Sequence, residues 1–153
     1  MDKSLYEKFM REAIDEMVKG IRKGQAPFGC VIVKNGKMVA RAHNTVRSSS
    51  DSTAHAEVDA LRKAEKKLGI DLKGCVLFSS CEPCPMCFSA SHWAKVDEVV
   101  YAATIEDAKS LGFSELMLHD CEFSRRGSRI KIVPNFLREE AVNAMKTWKG
   151  KPY

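Results

Sequence analysis

Two short motifs, far apart in the chain, carry side chains that can act together at one metal ion. The first is His55-Ala56-Glu57 and the second is Pro83-Cys84-Pro85-Met86-Cys87. One imidazole and two thiolates suit tetrahedral zinc, and three protein ligands leave a fourth position for water, as in catalytic zinc sites. Glu57, two residues after the candidate ligand His55, is placed to accept a proton from that water. The fold must therefore bring the two motifs together.

A structural zinc site is the alternative interpretation of the same cysteines. Such a site needs a fourth protein ligand, and Cys81 is the candidate because Cys81 and Cys84 also form a C-x-x-C pair. Cys81 precedes Pro83, however, where the chain is still leaving a strand, so its side chain need not share the face of Cys84. A buried thiol pair without metal is a further alternative. The additional His-x-Glu motif favours the catalytic arrangement.

The composition restricts the possible classes of protein. Of the 153 residues, 44% are apolar and 29% charged, so a single domain over residues 1–153 can bury a full core. No apolar run is long enough to span a bilayer and the polar start is unlike a secretory signal, so we expect a cytoplasmic protein without a membrane partner. The net charge of +5 is small and acids are interspersed among the basic residues, so nucleic acid is not an expected partner, although Arg125–Arg129 could contact a phosphate.

Hydrophobic periodicity predicts an α/β fold. Apolar residues recur at helical spacing from Leu5 to Ile21, after a Ser4…Glu7 pair with the spacing of a capping box. Two strand-like runs flank Asn35-Gly36, the first of them rich in β-branched residues, which is a strong hairpin signal. Strands and helices then alternate, which predicts a mixed sheet with helices on both faces.

The predicted boundaries follow from caps, prolines and glycines. The predicted helices cover residues 4–24, a segment ending at 69, Pro83 to about 95, a short stretch within 104–119, and 135–149. The predicted strands cover residues 27–33, 38–42, 75–80, 96–103 and 129–133, and a loop covers 43–51. The helix that ends at 69 is expected to be capped by Asp51, Ser52 or Thr53. Both motifs thus fall at helix starts, where the helix dipole favours thiolate and developing negative charge.

With both motifs in place, the chain resembles the cytidine-deaminase-like superfamily over nearly its whole length, and within it the bacterial guanine deaminases. The H-x-E…P-C-x-x-C pattern is the signature of zinc nucleobase deaminases. The closer resemblance is carried by Pro27-Phe28-Gly29, by His92-Trp93-Ala94 and by the aromatic C-terminus from Trp148 to Lys151-Pro152-Tyr153. The resemblance implies a three-layer α/β/α sandwich around a five-stranded mixed sheet.

The resemblance also implies roles for individual residues. His55, Cys84 and Cys87 would hold one catalytic Zn²⁺, and Glu57 would carry protons. The implied substrate contacts are Phe28, Asn44, Ala56, Trp93, Glu115 and Tyr153, and the implied assisting acids are Glu115 and either Glu139 or Glu140. Without the resemblance, Phe28 and Trp93 would pass as core aromatics, Asn44 as a strand-end cap and Glu115 as a solvated acid.

Glu115 also marks a departure from the family pattern. It lies in Gly112-Phe113-Ser114-Glu115, where guanine deaminases often carry an aspartate. The family further implies a homodimer that exchanges its C-terminal segment, here about residues 135–153, so that Tyr153 closes the partner's site.

The function that follows is hydrolytic deamination of an amino-substituted purine, which would make the chain a hydrolase of purine metabolism. Guanine, converted to xanthine and ammonia, is the expected substrate. The alternatives are A-to-I deamination of tRNA adenosine, deamination of guanosine, cytosine or an aminotriazine, and a non-catalytic protein stabilised by zinc.

Overall fold

The computed structural model describes residues 1–153 and contains one five-stranded sheet in the order β2-β1-β3-β4-β5. Strand β1 is antiparallel to β2 and β3, whereas β3, β4 and β5 run parallel. The β1–β2 hairpin turns at Asn35 and Gly36, whose φ angles of 51° and 70° explain why this pair was a turn signal. The strands are β1 Gly29–Lys34, β2 Lys37–His43, β3 Cys75–Cys81, β4 Glu98–Ala103 and β5 Lys131–Val133.

Seven helices cover the two faces of the sheet. They are α1 Lys3–Arg22, α2 Val46–Ser49, α3 Ala56–Leu68, α4 Pro85–Trp93, α5 Ile105–Ser110, α6 Asp120–Arg125 and α7 Arg138–Met145. One core packs α3 and α4 residues such as Ala60 and Phe88 against Leu77. The other packs α1 and α7 residues such as Met10 and Met145 against the opposite sheet face. The predicted three-layer α/β/α sandwich with a five-stranded mixed sheet is therefore confirmed.

Two predicted helix caps are wrong, for local reasons. Helix α1 is capped by Asp2, whose Oδ1 accepts a hydrogen bond from the Leu5 N–H, so Ser4 already lies inside the helix. Asp51 accepts bonds from Thr53 instead, which closes a local turn, and α3 begins only after His55.

Three further boundaries differ from the sequence prediction. Helix α2 lies in the predicted loop, and α6 is an additional short helix. Helix α7 is shorter than predicted because Asn135 and Leu137 both have positive φ angles, which interrupt a right-handed helix. No helix combines the length and apolar character needed to cross a membrane.

Gly29 sets how closely α1 approaches the sheet. A Cβ at this position would lie 2.3 Å from the Ala13 carbonyl oxygen and 2.3 Å from the Met17 nitrogen, both backbone atoms of α1. Because backbone atoms cannot move aside cheaply, we expect Gly29→Ala to lower the free energy of unfolding by about 2 kcal/mol or more in chemical denaturation.

Gly20→Ala is the matched control. The three atoms nearest to its Cβ would all belong to the His43 side chain, at 3.0–3.2 Å, and alanine favours the helix interior in which Gly20 lies. The control variant should therefore lose less stability than Gly29→Ala. An equal or larger loss for Gly20→Ala would contradict this account of the α1–sheet contact.

Candidate active site

The two motifs meet at the beginnings of two helices on one face of the sheet. His55 is the N-cap residue of α3, and Glu57 lies buried in its first turn. Cys84 is the N-cap residue of α4, which follows β3, and Cys87 lies in the first turn of that helix. Pro85, rather than the predicted Pro83, occupies the first helical position, where its missing N–H costs no hydrogen bond.

The three candidate ligand atoms form a nearly equilateral triangle. His55 Nδ1 lies 3.6 Å from Cys84 Sγ and 3.5 Å from Cys87 Sγ, and the two sulfurs are 3.6 Å apart. A tetrahedral zinc with Zn–S bonds of about 2.3 Å and Zn–N bonds of about 2.0 Å requires edges of about 3.8 Å between sulfurs and about 3.6 Å between sulfur and nitrogen. The donor set therefore fits zinc in both type and spacing.

Cys81 does not belong to this triangle. It is buried at the end of β3, and its thiol donates a hydrogen bond to the Thr104 carbonyl oxygen at 3.4 Å. The residues that can share one ion here are His55, Cys84 and Cys87. The structure thus favours the three-ligand arrangement over a structural zinc with Cys81 as fourth ligand.

The protonation of the ligands is strongly coupled. The hydrogen bond from Cys87, followed by that from His55, lowers the pKa of the Cys84 thiol to about 4 although burial opposes the shift. The same contact with Cys84, together with burial, raises the pKa of Cys87 well above its usual value. Metal ligation needs thiolates, so zinc binding must release the proton that Cys87 holds.

Glu57 lies beside the ligand triangle, and a side chain of the sheet holds it in place by a hydrogen bond. Its Oε1 accepts a hydrogen bond from Ser79 Oγ at 2.9 Å, and its Oε2 lies 3.4 Å from Cys87 Sγ. Burial, followed by the charge on Cys84, raises the pKa of the Glu57 carboxyl. A buried carboxyl with a raised pKa beside a metal site is suited to accept and return protons.

Sequence reasoning missed Ser79, although the signal was present. Ser79 is a hydroxyl residue within the apolar strand β3. It lies two positions after Leu77 and four after Cys75, so the three side chains point to the same face of the sheet. Cys75 and Leu77 belong to the core under α3, so Ser79 faces the helix that carries Glu57. A buried hydroxyl at such a position needs a partner, and here the partner is the catalytic candidate.

A small cavity of about 130 Å³ opens on the triangle and on Glu57. It is smaller than the sites that hold drug-sized ligands, so it suits a small molecule. Its lining residues are Phe28, His55, Glu57, Cys81, Glu82, Cys84, Phe113, Ser114, Glu115 and Tyr153. Burial raises the pKa of Glu115, and the Cys84 thiolate adds to the shift.

Aromatic rings and the C-terminus form the outer wall of the cavity. Phe113 packs edge-on against Phe28, with ring centroids 5.0 Å apart, and stacks on Trp148 at 5.1 Å. Tyr153 lies over His55 of the same chain, with ring centroids 6.4 Å apart, and its hydroxyl accepts a 2.8 Å hydrogen bond from Asn44 Nδ2. Phe113 and Trp148 were not predicted as site residues.

The C-terminal tail has two further contacts next to the site. Arg47 donates a hydrogen bond to the Lys151 carbonyl oxygen. Pro152 packs so closely on Gly112 that a Cβ there would lie 3.2 Å from its Cγ. In this single chain, the tail therefore closes the chain's own site.

Asn44 and Ala56 lie next to the cavity rather than in its wall. Asn44 is buried, and its Oδ1 accepts the Val46 N–H at 3.2 Å, which is the capping role that the sequence left open. Ala56 is buried at the first position of α3, where its backbone N–H has no partner within the helix. Both remain close to the groups that line the site.

The structure does not bring Trp93 or Glu140 to this site. Trp93 is 81% exposed at the last position of α4, and nine residues of helix separate it from Cys84 by about 13 Å. Glu140 is exposed on α7, where its carboxylate accepts hydrogen bonds from Arg11 at 3.0 and 3.1 Å. Glu139 is likewise exposed. Within a single chain these side chains do not reach the cavity, and their roles at the site stay predictions.

Comparison with known proteins agrees with this geometry. Residues 3–103 match the family model described as the cytidine and deoxycytidylate deaminase zinc-binding region. The chain belongs to this family of zinc-dependent deaminases, whose metal is the ion that His55, Cys84 and Cys87 are arranged to hold.

Individual members of the family are similar to the chain over most of its length. Guanine deaminase of Bacillus subtilis is 46% identical over 116 residues, which cover 74% of each chain. The tRNA-specific adenosine deaminase of the same species is 38% identical over 135 residues, covering 88% of this chain and 82% of the relative. A solved structure of guanine deaminase from Nitrosomonas europaea superposes with a TM-score of 0.82 at 29% identity, covering 92% of this chain and 82% of the other.

Proposed function

We propose that this chain converts guanine and water to xanthine and ammonia, with Glu57 as the proton carrier. The observation that carries the proposal is a second acid, Glu115, in the wall of the cavity that contains Glu57 and the ligand triangle. A carboxylate accepts hydrogen bonds, and guanine offers ring N–H and amino donors. The similarity to guanine deaminases of two species supports the same substrate.

We assign the steps of the proposed reaction to individual residues as follows. His55, Cys84 and Cys87 would hold a zinc ion, which would supply a water of lowered pKa next to Glu57. Glu57 takes one proton from the attacking water and gives it to the ring nitrogen. It then takes the proton of the hydroxyl now bonded to the ring carbon and gives it to the amino group, which leaves as ammonia. Ser79 holds one carboxylate oxygen of Glu57 so that the group keeps its direction.

We assign recognition of the purine to groups around the cavity. Phe28 and Tyr153 present aromatic surface to the flat ring, and Glu115 accepts its N–H donors. Asn44 still has one amide hydrogen after its bond to Tyr153, and the Ala56 N–H has no helical partner, so both can donate to purine acceptors. A site that pairs its polar groups in this way rejects a base that leaves them unpaired.

Deamination of tRNA adenosine is the second candidate, because a tRNA-specific adenosine deaminase is 38% identical to the chain. An adenosine within tRNA must swing out of its strand into the pocket. Here Tyr153 lines the mouth of a cavity of about 130 Å³, and the adenine ring of adenosine has no ring N–H to donate to Glu115. These features favour a free base.

An ammonia-release assay tests the proposed substrate. The panel comprises guanine, adenine, cytosine, their nucleosides, an aminotriazine and a tRNA, each with the zinc-loaded protein. We expect guanine to have the highest kcat/KM, with adenosine in tRNA inactive. Equal or faster release from tRNA, declining steeply with salt, would overturn the proposal in favour of the RNA substrate.

We further propose that the chain acts as a homodimer that exchanges its tail, as the family resemblance implies. Trp93 is a large apolar side chain left 81% exposed, and Leu116 is 70% exposed, so apolar surface remains for a partner. Exchange would preserve the contacts of Tyr153 and Pro152, because identical segments replace one another. The closed site of a single chain is then compatible with the exchanged dimer.

Mixing two inactive variants tests the exchange. In a hybrid dimer of Glu57→Gln with a variant lacking Tyr153, exchange creates one site with an intact Glu57 and an intact tail. Random pairing should therefore restore about a quarter of the wild-type activity, since half of the dimers are hybrids with one complete site of two. If the mixture stays as inactive as its components, each tail closes its own site.

A further inference from the structure

The segment that carries Glu115 has little backbone support. Between Phe113 and Leu118 the backbone forms one hydrogen bond, from the Leu118 N–H to the Leu116 carbonyl oxygen at 2.7 Å. Leu116 and Met117 are exposed, so they do not pack the segment against the core. The position of Glu115 therefore depends on how the two ends of the segment are held.

The first end is held by an aromatic cluster. Phe113 is buried between Phe28 and Trp148, with ring centroids 5.0 Å and 5.1 Å away. Such packing fixes the start of the segment, but Phe113 precedes Glu115 by only two residues. The direction in which the chain leaves Glu115 must be set from the other side.

The second end is held by Glu82, which lies in the turn that leads to Cys84. Glu82 is buried, and its Oε1 accepts a hydrogen bond from His119 Nδ1 at 3.2 Å and from the Asp120 N–H at 3.3 Å. Its Oε2 accepts the Ile105 N–H at 3.3 Å. One carboxylate thus joins the metal-binding turn to the end of the Glu115 segment and to the start of α5.

His119 is the side chain that completes this junction. Its Nε2 faces Glu106 Oε1 at 3.2 Å, but Glu106 is exposed, whereas Glu82 is not. An exposed ion pair contributes little, whereas a buried carboxylate that loses a donor is costly. The contact with Glu82 is therefore the one that determines where His119 lies. Each imidazole nitrogen thus faces one carboxylate oxygen.

We propose that His119 is a positioning residue for substrate recognition: through Glu82 it fixes the segment that presents Glu115 to the purine, relative to the zinc-binding turn. The inference rests on the proposed function, because it takes Glu115 as the group that binds the base. His119 itself does not line the cavity and touches no reacting atom.

Three variants of the zinc-loaded protein test this inference. His119→Ala removes the donor to Glu82. His119→Asn retains an amide N–H near the place of Nδ1. Glu106→Gln, the matched control, changes only the exposed contact. Guanine turnover, zinc content and hydrogen exchange of residues 118–122 are measured for each variant.

We expect His119→Ala to raise the KM for guanine by about 10-fold while kcat changes by less than about 3-fold, because recognition and not proton transfer is lost. Hydrogen exchange over residues 118–122, where the Asp120 N–H bonds to Glu82, should become faster, with zinc content unchanged. His119→Asn should restore most of the KM, and Glu106→Gln should behave as wild type.

Several results would overturn the inference. They are an unchanged KM and unchanged exchange in His119→Ala, an Asn variant no better than Ala, a loss as large in Glu106→Gln, or a second metal ion per chain that Glu106→Gln removes. Hydrogen exchange needs no substrate, so it tests the junction even if guanine turns out not to be deaminated. Failure of the proposed function and failure of this inference are thus separate observations.

Discussion

Replacing Glu57 with Gln is expected to reduce the rate of ammonia release from guanine by about 10⁴-fold, the upper range for a general acid–base group, because Glu57 acts in two successive proton transfers. Glutamine has nearly the same shape and can keep the hydrogen bond from Ser79, but it cannot accept a proton. Zinc should stay bound at one ion per chain, because Glu57 is not a member of the ligand triangle. The measurements are kcat and metal content on the same preparation.

Glu65→Gln is the matched control for this experiment. Glu65 lies on the same helix α3, outside the cavity, so the same change of charge there should leave kcat unaltered. If Glu57→Gln lost its zinc together with its activity, Glu57 would be holding the metal, and its assignment as proton carrier would be wrong.

Replacing Cys87 with Ala is expected to have the second large effect, on metal binding and stability together. The variant removes one of three ligands from a buried position, so zinc should no longer be retained through purification. A ligand present at 1,000 times its Kd stabilises the native state by about 4 kcal/mol, and we expect the variant to lose stabilisation of this order together with all turnover. Thermal unfolding with and without a chelator measures the loss.

The chelator provides the internal comparison. It should lower the Tm of the wild-type protein towards that of Cys87→Ala and should leave the variant unchanged. Cys121→Ala, which alters an exposed thiol, should behave as wild type. A Cys87→Ala protein that keeps stoichiometric zinc would show that another residue completes the ligand set.

Much of the fold could be predicted because local and global signals agree along most of the chain. Three signals each predict a single structure: the continuous apolar strand from Cys75, the Asn35-Gly36 turn, and the alternation of strands and helices. The caps were harder to predict, since several hydroxyl and carboxylate residues compete near each helix start. Asp51 satisfies the Thr53 N–H in a local turn, which the sequence does not distinguish from capping α3.

The metal site followed from residue type and spacing, whereas the surrounding groups did not. Motif spacing fixes His55, Cys84 and Cys87 because the N-termini of two helices present them together. Trp93 lies away from its own chain's cavity because a rigid helix carries its last residue far from its first. Glu140 lies away from it because it pairs with Arg11, which is on a helix distant in sequence. Contacts of that kind depend on the tertiary structure.

Predictions that concern the cell and the assembly stay open to experiment. The cytoplasmic location and the absence of a nucleic-acid partner depend on surfaces outside the site, whereas the exchanged homodimer also involves the tail that closes it. The contacts of Glu57 with Ser79 and Cys87 do not depend on any of these three predictions.

X-ray absorption at the zinc edge tests the central claim most directly, because it counts the sulfur ligands of the bound ion. The account predicts two sulfurs at about 2.3 Å with one imidazole nitrogen and one further light atom at about 2.0 Å. A third sulfur in the coordination shell would place Cys81 on the metal, close the open position and contradict a catalytic zinc.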